Sequence, residues 1–285
     1  SIVDFEGSLY VDGEGFSLYS TGGAVTNALA AGKDKILIGD MYSNSDGQIN
    51  VLLDTADSLF EGAALIGTAG GEINFTMSDL SLWRMLGDSS VTALAVSSGA
   101  IVDMTQYDDY QQLEISELSG SGGEFIMKTD LASETDGDKL YVTDAAAGTS
   151  QFVQVNDVSI INGAVVTGDK KLLLITDASK NVEFIGKNLN NGGLWDITPT
   201  LENGLAVGGS EEEWYLTKLR KEANNDTSVL LGAADNAYAM WRNTNDTMRQ
   251  RLGDLRHNKI NEGDGLWTRY TGGRFGGSGL DSRYN

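Results

Sequence analysis

Short apolar runs separated by glycine-rich turns recur from about residue 30 to residue 219, and this rhythm restricts the fold more than any other feature of the chain. Lys35–Ile38, Ile49–Leu53, Ile73–Met77, Leu113–Ser116 and Val182–Ile185 are of this kind. Several alternate apolar with polar residues, which in a strand buries one face and leaves the other wet. The links are rich in Gly, Asp, Asn and Ser, which supply tight turns and positive φ angles. Runs starting at Leu113, Lys139 and Leu172 lie 26 and 33 residues apart, and those starting at Phe125 and Phe152 lie 27 apart. Spacing of that order suits coils of a parallel β-helix with several short strands per turn. A β-sandwich is the rival. Its hairpins favour the links found at Asp12-Gly13, Asp46-Gly47, Asp136-Gly137 and Asn162-Gly163.

Composition narrows the function classes. With 36 Gly, one Pro and no Cys in 285 residues, the chain reads as all-β with many turns. Its net charge of −21 argues against nucleic acid, which is held by Lys and Arg, and against a polybasic membrane patch. No apolar run reaches the length of a transmembrane helix. Ser1-Ile2-Val3-Asp4 lacks the basic and apolar segments of a signal peptide, and the start without Met leads us to expect a piece of a longer protein. The only histidine is His257, so a Ser-His-Asp site, a Cys-His site and a His-rich zinc site are not expected in the body. Asp136-Gly137-Asp138 and Asp108-Asp109 carry oxygen ligands suited to calcium, but turn chemistry accounts for them without a metal. No catalytic residue, cofactor or metal site is therefore assigned. A carboxylate-based carbohydrate enzyme and a plain structural spacer stay as alternatives.

The period changes near the C-terminus. Leu230, Ala234, Ala237, Trp241, Met248, Leu252 and Leu255 recur at three- and four-residue steps, which predicts a helix from Thr227 to Arg256. Asp226 or Thr227 is the expected N-cap, and Asn258 suits the stop. Arg242, Arg249 and Arg256 fall seven apart and form one polar stripe, which suits a polar barrel lumen or a solvated surface. Beyond it, Leu266, Thr268 and Tyr270 alternate with Trp267, Arg269 and Thr271 before Gly272-Gly273. That pattern fits one strand of a membrane barrel, with residues from about 264 lacking their strand partners.

Ser81-Leu82-Trp83-Arg84-Met85-Leu86-Gly87-Asp88, continuing through Ser89–Leu94, resembles the strand-turn-strand signature of pertactin-like (AIDA-type) autotransporter passengers. So do Gly123–Leu131 followed by Asp136–Val142, and Gly193–Ile197 followed by Glu213–Leu216. The order of these motifs, ending in Arg249-Gln250-Arg251-Leu252-Gly253-Asp254-Leu255-Arg256 and the strand after it, carries the resemblance over about residues 75–285. It implies a right-handed, single-stranded parallel β-helix over residues 1–219, with coils and a cap at about 120–219 resembling the autochaperone segment. An α-helical linker at 220–262 and a truncated first barrel strand within 263–285 would follow. The implied cap core is Trp195, Trp214, Tyr215 and Leu219. The implied lumen helix uses Arg242, Arg249, Leu252, Gly253, Asp254 and Arg256, and the implied strand Trp267, Arg269 and Tyr270. The implied function is type V secretion of a non-enzymatic surface segment, an adhesin. It would sit at the cell surface of a Gram-negative-type bacterium, attached to the outer membrane through the barrel or released. Its implied partners are the chain's own barrel, the barrel-assembly machinery and a host or bacterial surface ligand, with no nucleic acid and a monomeric or self-associating passenger. One departure stands out. In the serine-protease branch the lumen helix is cut at an adjacent Asn pair, and the matching positions here are Asp246-Thr247. Asn224-Asn225 lies well upstream, so that cleavage chemistry does not carry over.

Overall fold

The structure is a computed structural model that describes residues 1–5, 7–11, 15–161, 170–189 and 195–227, with scattered positions from 229 to 248. Most strands are short because turn residues interrupt them, and most pair in parallel with a strand one coil later. Leu59–Glu61, for example, lies in parallel register between Ile36–Ile38 and Leu82–Arg84. The result is a right-handed parallel β-solenoid with ten-stranded, eight-stranded and three-stranded sheets along its sides. A β-sandwich is excluded, since its hairpins would make neighbouring strands antiparallel. Asp46-Gly47 instead turns a corner between the strands Asp40–Asn44 and Gln48–Leu53, and Asp136-Gly137 ends a loop between Ser121–Thr129 and Lys139–Ala145. The other two links lie outside the described residues.

The coil length varies along the axis. Leu18, Met41 and Ala64 pair in turn, 23 residues apart. Leu82 and Ile101 are only 19 apart, whereas Leu140 and Ile175 are 35 apart. The three-stranded side stops at Ala64–Ile66 for an identifiable reason. The hydroxyls of Ser89 and Ser90 accept from the backbone N–H groups of Ala64 and Ile66, both at 3.1 Å, and take the place of a further strand's carbonyls. In the eight-stranded sheet Phe125 is paired with Val153, so the spacing drawn from Phe125 to Phe152 was one residue short.

Inward side chains stack in register down the interior. Leu37, Phe60, Trp83, Val102, Phe125 and Val153 form one such column, and all are buried. Trp83 sits with its ring centroid 5.5 Å from Phe60 and 5.0 Å from Phe75, and its indole N–H donates to the Gly62 carbonyl at 3.0 Å. Two buried glutamines tie coils together at corners. Gln111 Nε2 donates to the carbonyls of Met85 and Met104, while its Oε1 accepts from Gly87 N. Gln151 Nε2 donates to the Val96, Ser119 and Gly120 carbonyls. On the wet face of the ten-stranded sheet, Asp4, Asn27, Asn50 and Asn74 occupy one register column. Each asparagine amide donates to the side-chain oxygen of the coil before it, at 2.8–2.9 Å.

The backbone divides into one compact unit of Ser1–Asn190 with Ile197–Arg220, and a second of Asn191–Asp196 with Lys221–Asn285. Among the described residues no helix is long and apolar enough to cross a membrane.

Candidate functional site

The expected cap residues fall where the parallel order ends. Leu172–Asp177 is the last strand of the ten-stranded sheet to pair in parallel with its predecessor. Glu213–Ala223 then lies antiparallel to it, with Leu172 opposite Leu216, Leu173 opposite Tyr215 and Ile175 opposite Trp214. Trp195–Asn203 completes the sheet as its edge. It holds the chain's only proline, Pro199, whose missing N–H suits an edge strand and hinders further pairing.

Alternation puts Trp214 and Leu216 on one face of Glu213–Ala223. Leu216 is fully buried, and Trp214 and Leu219 are partly buried against the core. Trp214 meets Phe184 edge-on, with centroids 5.7 Å apart and planes at 76°. Tyr215 points the other way, as strand geometry requires of the neighbour of Trp214. Its hydroxyl donates to Glu213 at 3.1 Å, and Lys171 Nζ lies 5.3 Å from its ring centroid. The four-residue apolar seal is thereby corrected at Tyr215, and Leu216 is the member that sequence reasoning missed. The strand Trp195–Asn203 includes Trp195, whose side chain lies outside the described residues.

The connection between the two cap strands is tightly specified. Asn203 caps the short helix Gly204–Val207 by accepting from Leu205 N, and its amide donates to the Glu211 carbonyl at 2.8 Å. A Cβ on Gly204 would lie 2.0 Å from the Ser210 carbonyl oxygen, so glycine is required there. The Ser210 backbone N–H, and then the Tyr215 hydroxyl, donate to Glu213 and hold its carboxyl below the usual carboxylate range. The Tyr215 hydroxyl is pushed up, by burial first and by Glu213 second. Nothing here is arranged for bond making. The arrangement closes a hydrophobic stack and fixes the chain's path across its end.

Described positions between 225 and 248 are helical. The cap of this helix is Asn224, whose side chain accepts from Thr227 N at 2.8 Å, rather than Asp226 or Thr227. Arg242 is exposed on it, as are Leu230, Trp241 and Met248, and the Tyr238 and Trp241 rings stack at 6.0 Å. Arg249, Leu252, Gly253, Asp254 and Arg256 lie outside the described residues, as do Trp267, Arg269 and Tyr270 of the expected barrel strand. Among the described residues no group of three or more His, Cys, Asp or Glu side chains is placed to hold a metal.

Residues 91–218 match the Pertactin family model. The chain is 27% identical over 247 residues to "Autotransporter CRAC" of Citrobacter rodentium, covering 75% of this chain and 14% of that protein. It is 28% identical over 224 residues to "Autotransporter adhesin/invasin TibA" of Escherichia coli, covering 74% of this chain and 20% of that protein. A solved structure of the Haemophilus influenzae Hap adhesin is similar at 16% identity and a TM-score of 0.44, over 75% of this chain and 22% of that one. The chain thus spans a fifth or less of the length of these curated relatives. With its parallel coils, antiparallel cap and matching sequence, the segment over residues 91–218 is a pertactin-type autotransporter passenger domain, homologous to known autotransporters.

Proposed function

We propose that this chain is the C-terminal passenger segment of a type V secretion autotransporter. It acts as a surface-exposed β-helical stalk that starts its own folding and presents an adhesin at the cell surface of a Gram-negative-type bacterium. The observation that carries this reading is the closed end of the stack, where parallel coils give way to the antiparallel strand Glu213–Ala223, which begins within the family match. In a solenoid each coil contacts only its neighbours, so one stable end can template the rest. Residues of about 120–219 take the autochaperone role, with Trp195, Trp214 and Leu219, joined by Leu216, as the core of its cap. Residues 220–262 serve as the linker, with Arg242, Arg249 and Arg256 facing a barrel lumen. Residues 263–285, with Trp267, Arg269 and Tyr270, begin the barrel. The partners are that barrel, the assembly machinery that inserts it, and a ligand on a host or bacterial surface. The similarity to TibA, an adhesin/invasin by name, supports the adhesive part.

The test is export. The chain, joined to a signal peptide and a complete autotransporter barrel, is expressed in a Gram-negative host, and protease is added to intact cells. Surface cleavage of the full chain, and its loss when residues 120–219 are deleted, are the expected results. Equal display with and without those residues contradicts the autochaperone role.

A further inference from the structure

A lateral groove of about 660 Å³ crosses the first coils at the corner between the eight-stranded and three-stranded sheets. Its lining includes Gly39 and Gly62, which occupy positive φ angles of 111° and 154°. A Cβ on Gly39 would lie 2.8 Å from the Val11 side chain, and one on Gly62 would lie 2.7 Å from the Gly39 carbonyl oxygen. Neither glycine therefore has room for a side chain of its own, and Val11 packs over Gly39 while Leu86 borders the groove on the third coil. One wall carries Phe16, 45% exposed. Its ring continues around the corner into Tyr19 and Tyr42, at 5.7 and 5.3 Å, and these two stack on each other at 5.6 Å. The remaining wall is acidic. One oxygen of Asp40 accepts from Ala63 N at 2.8 Å, and the other has no protein partner among the described residues. Glu61 is paired with Arg84 at 3.2 Å.

We propose that this groove binds an uncharged oligosaccharide. The apolar C–H face of a pyranose stacks on Phe16, since the ring face carries negative quadrupole charge. Sugar hydroxyls donate to the Asp40 and Glu61 carboxylates, which accept only. Charge decides against the other saccharides. Among the described lining residues none is a cation, Arg84 beside them is held by Glu61 at 3.2 Å, and the chain as a whole carries −21, so acidic glycans are disfavoured. An exposed aromatic beside a few convergent polar groups in a concave trough is the general form of a small-ligand site. The proposal rests on the adhesin reading, to which it adds a ligand class and a place.

The experiment titrates the purified chain with cellotetraose, chitotetraose and lacto-N-neotetraose by calorimetry, with 3′-sialyllactose as the acidic probe. At least one neutral tetrasaccharide is expected to bind saturably, and sialyllactose is not. Phe16→Ala should weaken binding about tenfold or more, as removal of an aromatic anchor does. Asp40→Asn keeps the acceptor for Ala63 N and should weaken binding severalfold, while Tyr110→Ala, on a distant loop, should leave it unchanged. The thermal midpoint of each variant should stay within about 2 °C of the parent. Absence of binding to every neutral probe, preference for sialyllactose, or an affinity indifferent to both Phe16→Ala and Asp40→Asn overturns the proposal. The two readings separate on displayed protein. Cell adhesion unchanged in Phe16→Ala sinks the groove as the adhesive site, whereas saccharide binding by a chain that mediates no adhesion sinks the adhesin reading alone.

Discussion

Single positions in this solenoid are constrained by the coil above and the coil below, and a few show it sharply. Asp138 is fully buried and accepts from the backbone N–H groups of Gln111 at 2.8 Å and Lys128 at 2.5 Å. Burial pushes its carboxyl up to about 6, against the opposing pull of those two N–H groups. Between the ordinary value of 3.8 and about 6 the folded chain holds a proton that the unfolded chain has lost. Unfolding free energy from this residue therefore falls as pH rises through that window and levels off above it. Urea unfolding from pH 4 to 7.5 should show a flatter pH profile for Asp138→Asn than for the parent, and identical profiles would contradict the assignment. Gly120 is a second such position. It has a φ of 89°, and a Cβ there would lie 2.4 Å from the Val96 carbonyl oxygen, so Gly120→Ala should cost about 2 kcal/mol or more in the same assay. A change below about 0.5 kcal/mol, the size of an ordinary surface substitution, would show that the corner yields freely.

At the level of elements, register is what the side chains enforce. Asn50 both donates to Asn27 and accepts from Asn74, so Asn50→Ala breaks two links of the ladder and should destabilise the chain by about 1–3 kcal/mol in equilibrium unfolding. Asn74→Ala breaks one of these links and should cost less, and the reverse order would count against the ladder. The parallel coils were legible from strand spacing in the C-terminal half, yet the more regular half went unnoticed. Leu18-Tyr19-Ser20 and Met41-Tyr42-Ser43 repeat at the observed coil length, as Asn27 and Asn50 do. These repeats are short and unlike in their flanks, so periodicity of apolar runs alone passes over them. The cap was legible as a cluster of aromatics. Their two faces follow from strand alternation, which separates Tyr215 from Trp214. The trough at Gly39 and Gly62 was not legible, because it exists only once three coils are placed in register.

For the molecule as a whole, stability is a sum over neighbouring coils, and under the proposed autochaperone role the closed C-terminal end is decisive. Coil length varies, and loops of differing size leave the stack, yet the interior columns of side chains run unbroken from Leu37 to Val153. Such a stack has an open edge at each end unless something covers it. Glu213–Ala223 and Trp195–Asn203 cover one end. The most direct test compares equilibrium unfolding and refolding of residues 1–220 with a chain ending at Glu202, which lacks Leu216, Trp214 and Leu219. The longer chain is predicted to unfold and refold in one cooperative, reversible transition. The shorter one is predicted to lose that cooperativity and to fail to refold. Intact cooperative refolding of the chain ending at Glu202 would contradict the claim that folding begins at the cap.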